Sequence, residues 1–122
     1  MAIINFLSDI RNAAIANAVI VVFHIYIAFA VEGIDFLIIV LPVGALIAAA
    51  YYFKGKIGAA LLAIPTLAYL AVLSDISGIL SGPDDDIGYF VYIIGPFWLL
   101  TTLMNILTIV AEVRGTSKYA NS

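Results

Sequence analysis

The fold is decided by residues 36–73, which read FLIIVLPVGALIAAAYYF, then KGK, then IGAALLAIPTLAYLAVL. Each apolar run, 36–53 and 57–73, is close to the roughly 20 residues that cross the hydrocarbon core of a bilayer as a helix. Only Lys54-Gly55-Lys56 separates the two runs, so the helices must be antiparallel neighbours. Because the apolar residues run continuously instead of alternating, the stretch predicts a transmembrane helical hairpin and not barrel strands.

Two further apolar runs flank this hairpin, at about 13–31 and 89–111, and the run from 57 could extend to residue 80. The chain of 122 residues is 65% hydrophobic and 11% charged, whereas soluble domains carry about a quarter charged residues. A soluble chain this short could not enclose so much apolar surface. The sequence therefore predicts an all-α integral membrane protein. It would be a single domain of four transmembrane helices in a bundle, with a short interfacial helix at 1–12 and a polar tail at 112–122.

The basic residues give an orientation to this arrangement, because all five fall on one side of it. They are Arg11, Lys54, Lys56, Arg114 and Lys118. Basic residues that flank apolar spans tend to remain in the cytoplasm. We therefore predict a multi-pass protein of an inner or cell membrane, with both termini in the cytoplasm.

The opposite side carries most of the acids, including Asp84-Asp85-Asp86 in a loop predicted over 74–88. Calcium sites take spaced ligands from a shaped loop, whereas three consecutive acids point in different directions. We expect a solvated acidic patch or a docking surface for a basic partner, and no metal site. Cysteine is absent, which excludes disulfides and thiolate metal sites.

His24 is the single histidine and lies near the middle of the first span, where a polar group is costly and normally faces a partner or a cavity. Counting residues places Thr66, Tyr69, Thr101 and Thr102 at similar depth. We expect a neutral histidine that is hydrogen-bonded between helices, with no cofactor. The alternatives are a contact with a haem or a quinone, a metal ligand, or a proton relay. A bis-histidine haem would need its second ligand from a partner chain.

Asn17 in the first span and Asn105 in the fourth lie at matching depth, which favours an amide contact between these helices. An ion or substrate contact is the alternative. Gly44 and Ala48 are four residues apart in the second span, and this small-residue spacing lets helices approach closely. The approaching helix could belong to this chain or to another subunit.

No motif identifies a reaction, because no nucleophile–base pair or ligand cluster is visible. The four apolar cores also lack the midplane acid that ion-coupled transport usually needs. We therefore expect a non-catalytic accessory subunit of a larger integral-membrane complex, such as a respiratory or other membrane redox assembly. It would pack against other membrane subunits and membrane lipids. On its own the chain is not expected to be an enzyme or to bind nucleic acid.

Two other classes of protein fit the same sequence. One is a small homo-oligomeric channel or transporter, in which a pore between protomers is lined by Asn17, His24, Thr101 and Asn105. The other is a structural membrane protein of a virus or envelope lattice.

Overall fold

The computed structural model describes residues 2–72 and 91–119, and every regular element in these ranges is helical. In chain order the helices are α1 (Ala2–Leu7), α2 (Ile10–Ile27), α3 (Leu37–Phe53), α4 (Gly55–Val72) and α5 (Val91–Arg114). A wider π-helical turn, Ala28–Glu32, continues α2, and a short 3-10 turn, Ile34–Phe36, leads into α3.

Four segments are long and apolar enough to cross a membrane: Ile10–Ala30, Ile34–Phe53, Gly55–Val72 and Tyr92–Arg114. They correspond to α2, α3, α4 and α5 in turn. The described residues therefore confirm an all-helical fold with four helices of membrane-spanning length and composition.

The ends of α2 and α5 differ from the predicted bounds. The helix α2 begins at Ile10 because Asp9 caps it, with Asp9 Oδ1 accepting a hydrogen bond from the backbone N–H of Arg11 at 2.9 Å. Arg11 is therefore inside the helix and not before it. At the other end of the chain α5 continues to Arg114. Glu112, which the sequence assigned to the polar tail, is thus part of the last long helix.

Two predictions fall on residues 73–90 and lie outside the described residues. They are the extension of the third span to residue 80 and the loop containing Asp84, Asp85 and Asp86.

The four long helices form a closed ring in which α2 packs on α3, α3 on α4, α4 on α5, and α5 on α2. The core between them is rich in alanine and is completed by Ile10, Leu62 and Met104. Small side chains let these helices approach closely. The closest approach is at Gly58 of α4, where an added Cβ would lie 2.6 Å from Ile10 Cδ1 and 2.9 Å from the carbonyl oxygen of Ala50.

Three separate parts of the chain meet at one end of this bundle. Lys118 Nζ lies 2.9 Å from Asp9 Oδ2, which joins the segment after α5 to the start of α2. Lys54, in the turn between α3 and α4, has its Nζ 5.6 Å from the centre of the Tyr119 ring. We call this the basic end of the bundle.

Candidate functional site

A pair of asparagine amides lies in the centre of the bundle. Asn17 Nδ2 donates to Asn105 Oδ1 at 2.7 Å, and Asn105 Nδ2 donates back to Asn17 Oδ1 at 3.2 Å. Both side chains are fully buried. Asn17 Nδ2 also donates to the carbonyl oxygen of Ala13 at 2.6 Å, and the hydroxyl of Tyr69 donates to Asn17 Oδ1 at 3.0 Å. One polar network therefore connects α2, α4 and α5.

Tyr69 completes this network and does not serve His24, which the depth count had placed near it. Its ring meets Trp98 of α5 edge to face, with the ring centres 6.3 Å apart. The tyrosine thus bridges α4 to both α2 and α5. The hydrogen of its hydroxyl group is donated to Asn17 Oδ1.

Within residues 2–72 and 91–119, the hydrogen bond of His24 lies inside its own helix and not between helices. Its Nδ1 lies 2.8 Å from the carbonyl oxygen of Ile20, one turn earlier in the same helix. A carbonyl oxygen only accepts, so Nδ1 carries the proton of this contact, and in the neutral tautomer with that proton Nε2 is an acceptor. The imidazole lies against the rings of Phe23 and Phe36. Together with Tyr69 it borders an otherwise apolar groove of about 270 Å³ between α2, α3 and α4.

The threonines expected beside His24 bond within their own helices. Thr66 Oγ1 donates to the carbonyl of Leu62, Thr101 Oγ1 to that of Phe97, and Thr102 Oγ1 to that of Trp98. Each bond reaches back four residues, as hydroxyls commonly do in helices. These three hydroxyls are satisfied without His24, so the similar depth of these residues does not result in hydrogen bonds among them.

A polar stripe runs along the buried face of α5. Its members are Thr101, Asn105, Thr108 and Glu112, and each is fully enclosed. The last two differ from the others, because Thr108 Oγ1 and both carboxyl oxygens of Glu112 have no hydrogen-bond partner in the described parts of the chain. A buried carboxyl group without a partner is costly in a folded protein.

The small residues of α2 and α3 face each other. A Cβ on Gly44 would lie 3.3 Å from Val21 Cγ1, so this glycine contacts α2 of the same chain. Ala48 lies on the outer side of that contact. With Ala14, Ala18 and Tyr51 it lines an apolar groove of about 350 Å³ between α2 and α3, which we call the α2–α3 groove.

The Tyr119 ring at the basic end is surrounded by cations. Arg11 Cζ, Lys54 Nζ and Lys118 Nζ lie 5.7, 5.6 and 5.3 Å from its centre. Arg11 Cζ also lies 5.0 Å from the centre of the Tyr51 ring. The hydrogen bond and the charge of Asp9 raise the pKa of Lys118 above its usual value, so this lysine remains protonated at neutral pH.

The sequence did not predict that Glu112 is buried or that three cations gather around the Tyr119 ring. A seven-residue repeat could have revealed Glu112. Thr108 follows Thr101 by seven residues and Glu112 follows Asn105 by seven, so all four lie on one face of the helix. The cluster carried no comparable signal, because Tyr119 reaches Arg11 only after the segment beyond α5 folds back. Across the described ranges, no three His, Cys, Asp or Glu side chains are grouped as metal ligands.

These features define a class: an all-helical protein with four apolar helices around a hydrogen-bonded network of Asn17, Tyr69 and Asn105. No family model, curated protein or solved structure matches this chain. Its function must therefore be argued from its own residues.

Proposed function

We propose that the chain is a small, non-catalytic accessory subunit of a larger integral-membrane complex. Its four apolar helices would cross the membrane, and other membrane subunits would pack against them. A respiratory or other membrane redox assembly is a suitable host. The role is contact and support, because the polar centre of the bundle is occupied in joining its own helices.

The observation that carries this proposal is the poor enclosure of α3 within the described parts of the chain. In the segment Ile34–Phe53, which contains α3, 17% of the most apolar 18-residue stretch is buried. The corresponding stretches of the other three long segments are 33–39% buried. The outward side of α3 presents Ile38, Leu41, Ala45 and Tyr52, which we call the α3 outer face. Ile38 is 75% exposed and Tyr52 is 74% exposed.

The composition of the α3 outer face suits a partner helix. Ala45 lies between larger apolar residues, and a small residue at the centre of a face lets a second helix approach closely. Lipid would also cover an apolar face. Among the four long helices, however, α3 has the largest exposed fraction that a partner could cover. We therefore place the contact with the neighbouring subunit on this face.

The basic end is proposed to face the cytoplasm. Arg11, Lys54 and Lys118 meet there, Lys56 lies in the first turn of α4, and Arg114 ends α5. A concentration of positive charge at one end of a set of apolar helices favours retention of that end on the cytoplasmic side. Both described chain ends would then be cytoplasmic.

A sharp test compares two alanines that are both exposed on the bundle. Ala45→Trp would obstruct a helix on the α3 outer face, whereas Ala60→Trp places the same bulk on the exposed side of α4. After gentle extraction from native membranes, we expect Ala45→Trp to release the chain from a larger particle and Ala60→Trp to leave it bound. Retention of both variants in the particle would show that α3 is not the contact.

The pore alternative is less well supported. Asn17, Thr101 and Asn105 are fully buried inside one chain, whereas a pore between protomers needs its lining on the outer surface. A transport role would have to run through the bundle itself. Flux through liposomes that contain only this chain would favour the channel class, and a fixed high copy number in particles would favour a lattice protein.

A cofactor contact, if the host complex carries one, would be through His24. Its Nε2 has no proton in the tautomer that bonds Ile20, so it can accept a hydrogen bond from a hydroquinone or act as a haem ligand. His24→Ala should leave assembly intact in either case. Loss of a haem spectrum from the intact complex would support ligation, and an unchanged spectrum would leave His24 with a packing role.

A further inference from the structure

Among the described residues, the basic end holds two cations without an ion-pair partner. Lys118 is paired with Asp9, and this is the one ion pair within residues 2–72 and 91–119. Arg11 and Lys54 lie on the other sides of the same tyrosine ring without such a partner. The remaining acid of this part of α5, Glu112, is enclosed and makes no hydrogen bond to either.

Arg11 has unused hydrogen-bonding capacity. Its Nε is buried and has no hydrogen-bond partner in the described structure. Its guanidinium lies between the Tyr51 and Tyr119 rings, which hold it by cation–π attraction but take no hydrogen bond in its plane. Planar, bidentate donation to phosphate or carboxylate is what such a group does best. Because Nε itself is enclosed, an anion would be bound through the Nη atoms of this guanidinium, which has no ion-pair partner among the described residues.

The α2–α3 groove shares one residue, Tyr51, with the contacts of Arg11. From there the groove follows α2 and α3 away from the basic end, along Ala14, Ala18, Gly44 and Ala48. Its lining is almost entirely apolar, and flanking side chains such as Ile15 are exposed on the outer surface.

We propose that these two features form one site for an anionic phospholipid. The phosphate would be held by Arg11 and Lys54 above the tyrosine rings, and an acyl chain would lie in the α2–α3 groove. A basic pocket at the cytoplasmic ends of membrane helices suits an anionic headgroup. A molecule that occupies both the cationic end and the apolar groove must be amphipathic. This requirement distinguishes a lipid from a free anion. The site concerns this chain alone and does not depend on its belonging to a larger complex.

The experiment is native mass spectrometry of the purified full chain in detergent. The chain is titrated with phosphatidylglycerol and with phosphatidylcholine of the same acyl chains. Removing one basic residue from a headgroup contact should weaken binding by about fivefold. We expect Arg11→Gln and Lys54→Gln each to weaken phosphatidylglycerol binding by this factor, with little change for phosphatidylcholine. Lys54 lies in a turn, so its variant tests the site even if Arg11→Gln folds poorly.

Matched controls come from the same end of the chain. Lys56→Gln and Arg114→Gln remove exposed basic residues that are not on the Tyr119 ring, and we expect each to change binding by less than about twofold. Equal losses from all four variants would overturn the site in favour of general surface attraction.

The groove has its own test. Ala48→Phe should fill it and weaken binding of the two-chain lipid, while Ala60→Phe on α4 should not. If Ala48→Phe has no effect, or if excess inorganic phosphate displaces the lipid completely, the site binds a phosphate ion and not a lipid. Either outcome would contradict the proposal.

Discussion

Asn17 and Asn105 donate to each other across α2 and α5, so each amide supplies both a donor and an acceptor to its partner. The two residues are 88 positions apart in sequence and come from the first and last of the long helices. Their bond closes the ring of four helices. Tyr69 adds a third helix by donating to the same Asn17 oxygen.

This arrangement makes Asn17 the more important member of the pair. Asn17→Leu would leave the Asn105 amide and the Tyr69 hydroxyl without partners, and should lower the free energy of unfolding by about 2 kcal/mol. Asn105→Leu should cost about 1 kcal/mol, because Asn17 retains Ala13 and Tyr69. Reversible unfolding in mixed detergent micelles would measure both variants.

The double variant tests the direct bond. Asn17→Leu with Asn105→Leu should cost less than the two single changes added together, by about 1 kcal/mol. Costs that simply add would show that the two amides do not depend on each other.

Gly58 is predicted to be intolerant of any side chain. An added methyl would lie 2.9 Å from the backbone oxygen of Ala50 and 2.6 Å from Ile10 Cδ1, and backbone cannot yield as a side chain does. Gly58→Ala should therefore destabilise the bundle by about 1–3 kcal/mol. Gly44→Ala is the control, because it meets only Val21 Cγ1 at 3.3 Å. Thermal unfolding should separate them, and equal midpoints would contradict the packing described at Gly58.

Glu112 is predicted to cost stability. Its carboxyl oxygens are buried without a hydrogen-bond partner in the described parts of the chain, and an unpaired buried carboxyl group is costly. Glu112→Gln lowers that cost at nearly constant shape and should raise the free energy of unfolding by about 1 kcal/mol. If the substitution instead lowers stability, the Glu112 carboxyl group supports the fold and would become the first candidate for an activity.

Lys118 is predicted to depend on Asp9 for its protonation. The Asp9 hydrogen bond and charge raise the pKa of Lys118 above the usual 10.5. The folded chain therefore holds this proton more tightly than the unfolded chain does. The resulting stabilisation is complete below about pH 10.5 and disappears as pH rises through the folded-state value. The effect on stability is small because the lysine is exposed.

Asp9→Asn should return the pKa of Lys118 toward 10.5 without uncapping α2, since asparagine also caps helices well. NMR titration of the lysine side-chain carbon signals would follow this, with the Lys56 signal as an internal reference. A Lys118 titration unchanged by the substitution would show that the pair with Asp9 does not persist in solution.

The sequence predicted the parts of this fold that depend on length and composition. Four apolar runs gave four long helices, and the short Lys54-Gly55-Lys56 link gave adjacent α3 and α4. Counting residues from the helix ends also placed Asn17 and Asn105 at one depth, and the structure brings them together.

Depth does not fix rotation about a helix axis, and this is why a residue count did not show which partners Tyr69 and the threonines take. Tyr69 lies at a suitable depth but donates its hydroxyl to Asn17. Thr66, Thr101 and Thr102 bond to carbonyls of their own helices, which compete locally with any partner across the bundle. Such competition is decided by rotamers that a residue count does not contain.

Glu112 was misplaced for a different reason. A charged residue near the end of an apolar run is normally taken as the limit of the span, so it was assigned to the tail. The helix continues to Arg114, and the repeat from Thr101 carries Glu112 to the inside. The proximity of Arg11 to Tyr119 was also not predicted. It depends on the segment after α5, which folds back and is held by the ion pair between Lys118 and Asp9.

The measurement that tests the central claim most directly is the mass and composition of the particle obtained by gentle detergent extraction from native membranes. An accessory subunit should migrate in a large particle with bigger integral-membrane subunits in fixed ratio, and Ala45→Trp should remove it from that particle. A particle that contains only this chain, unchanged by Ala45→Trp, would contradict the account.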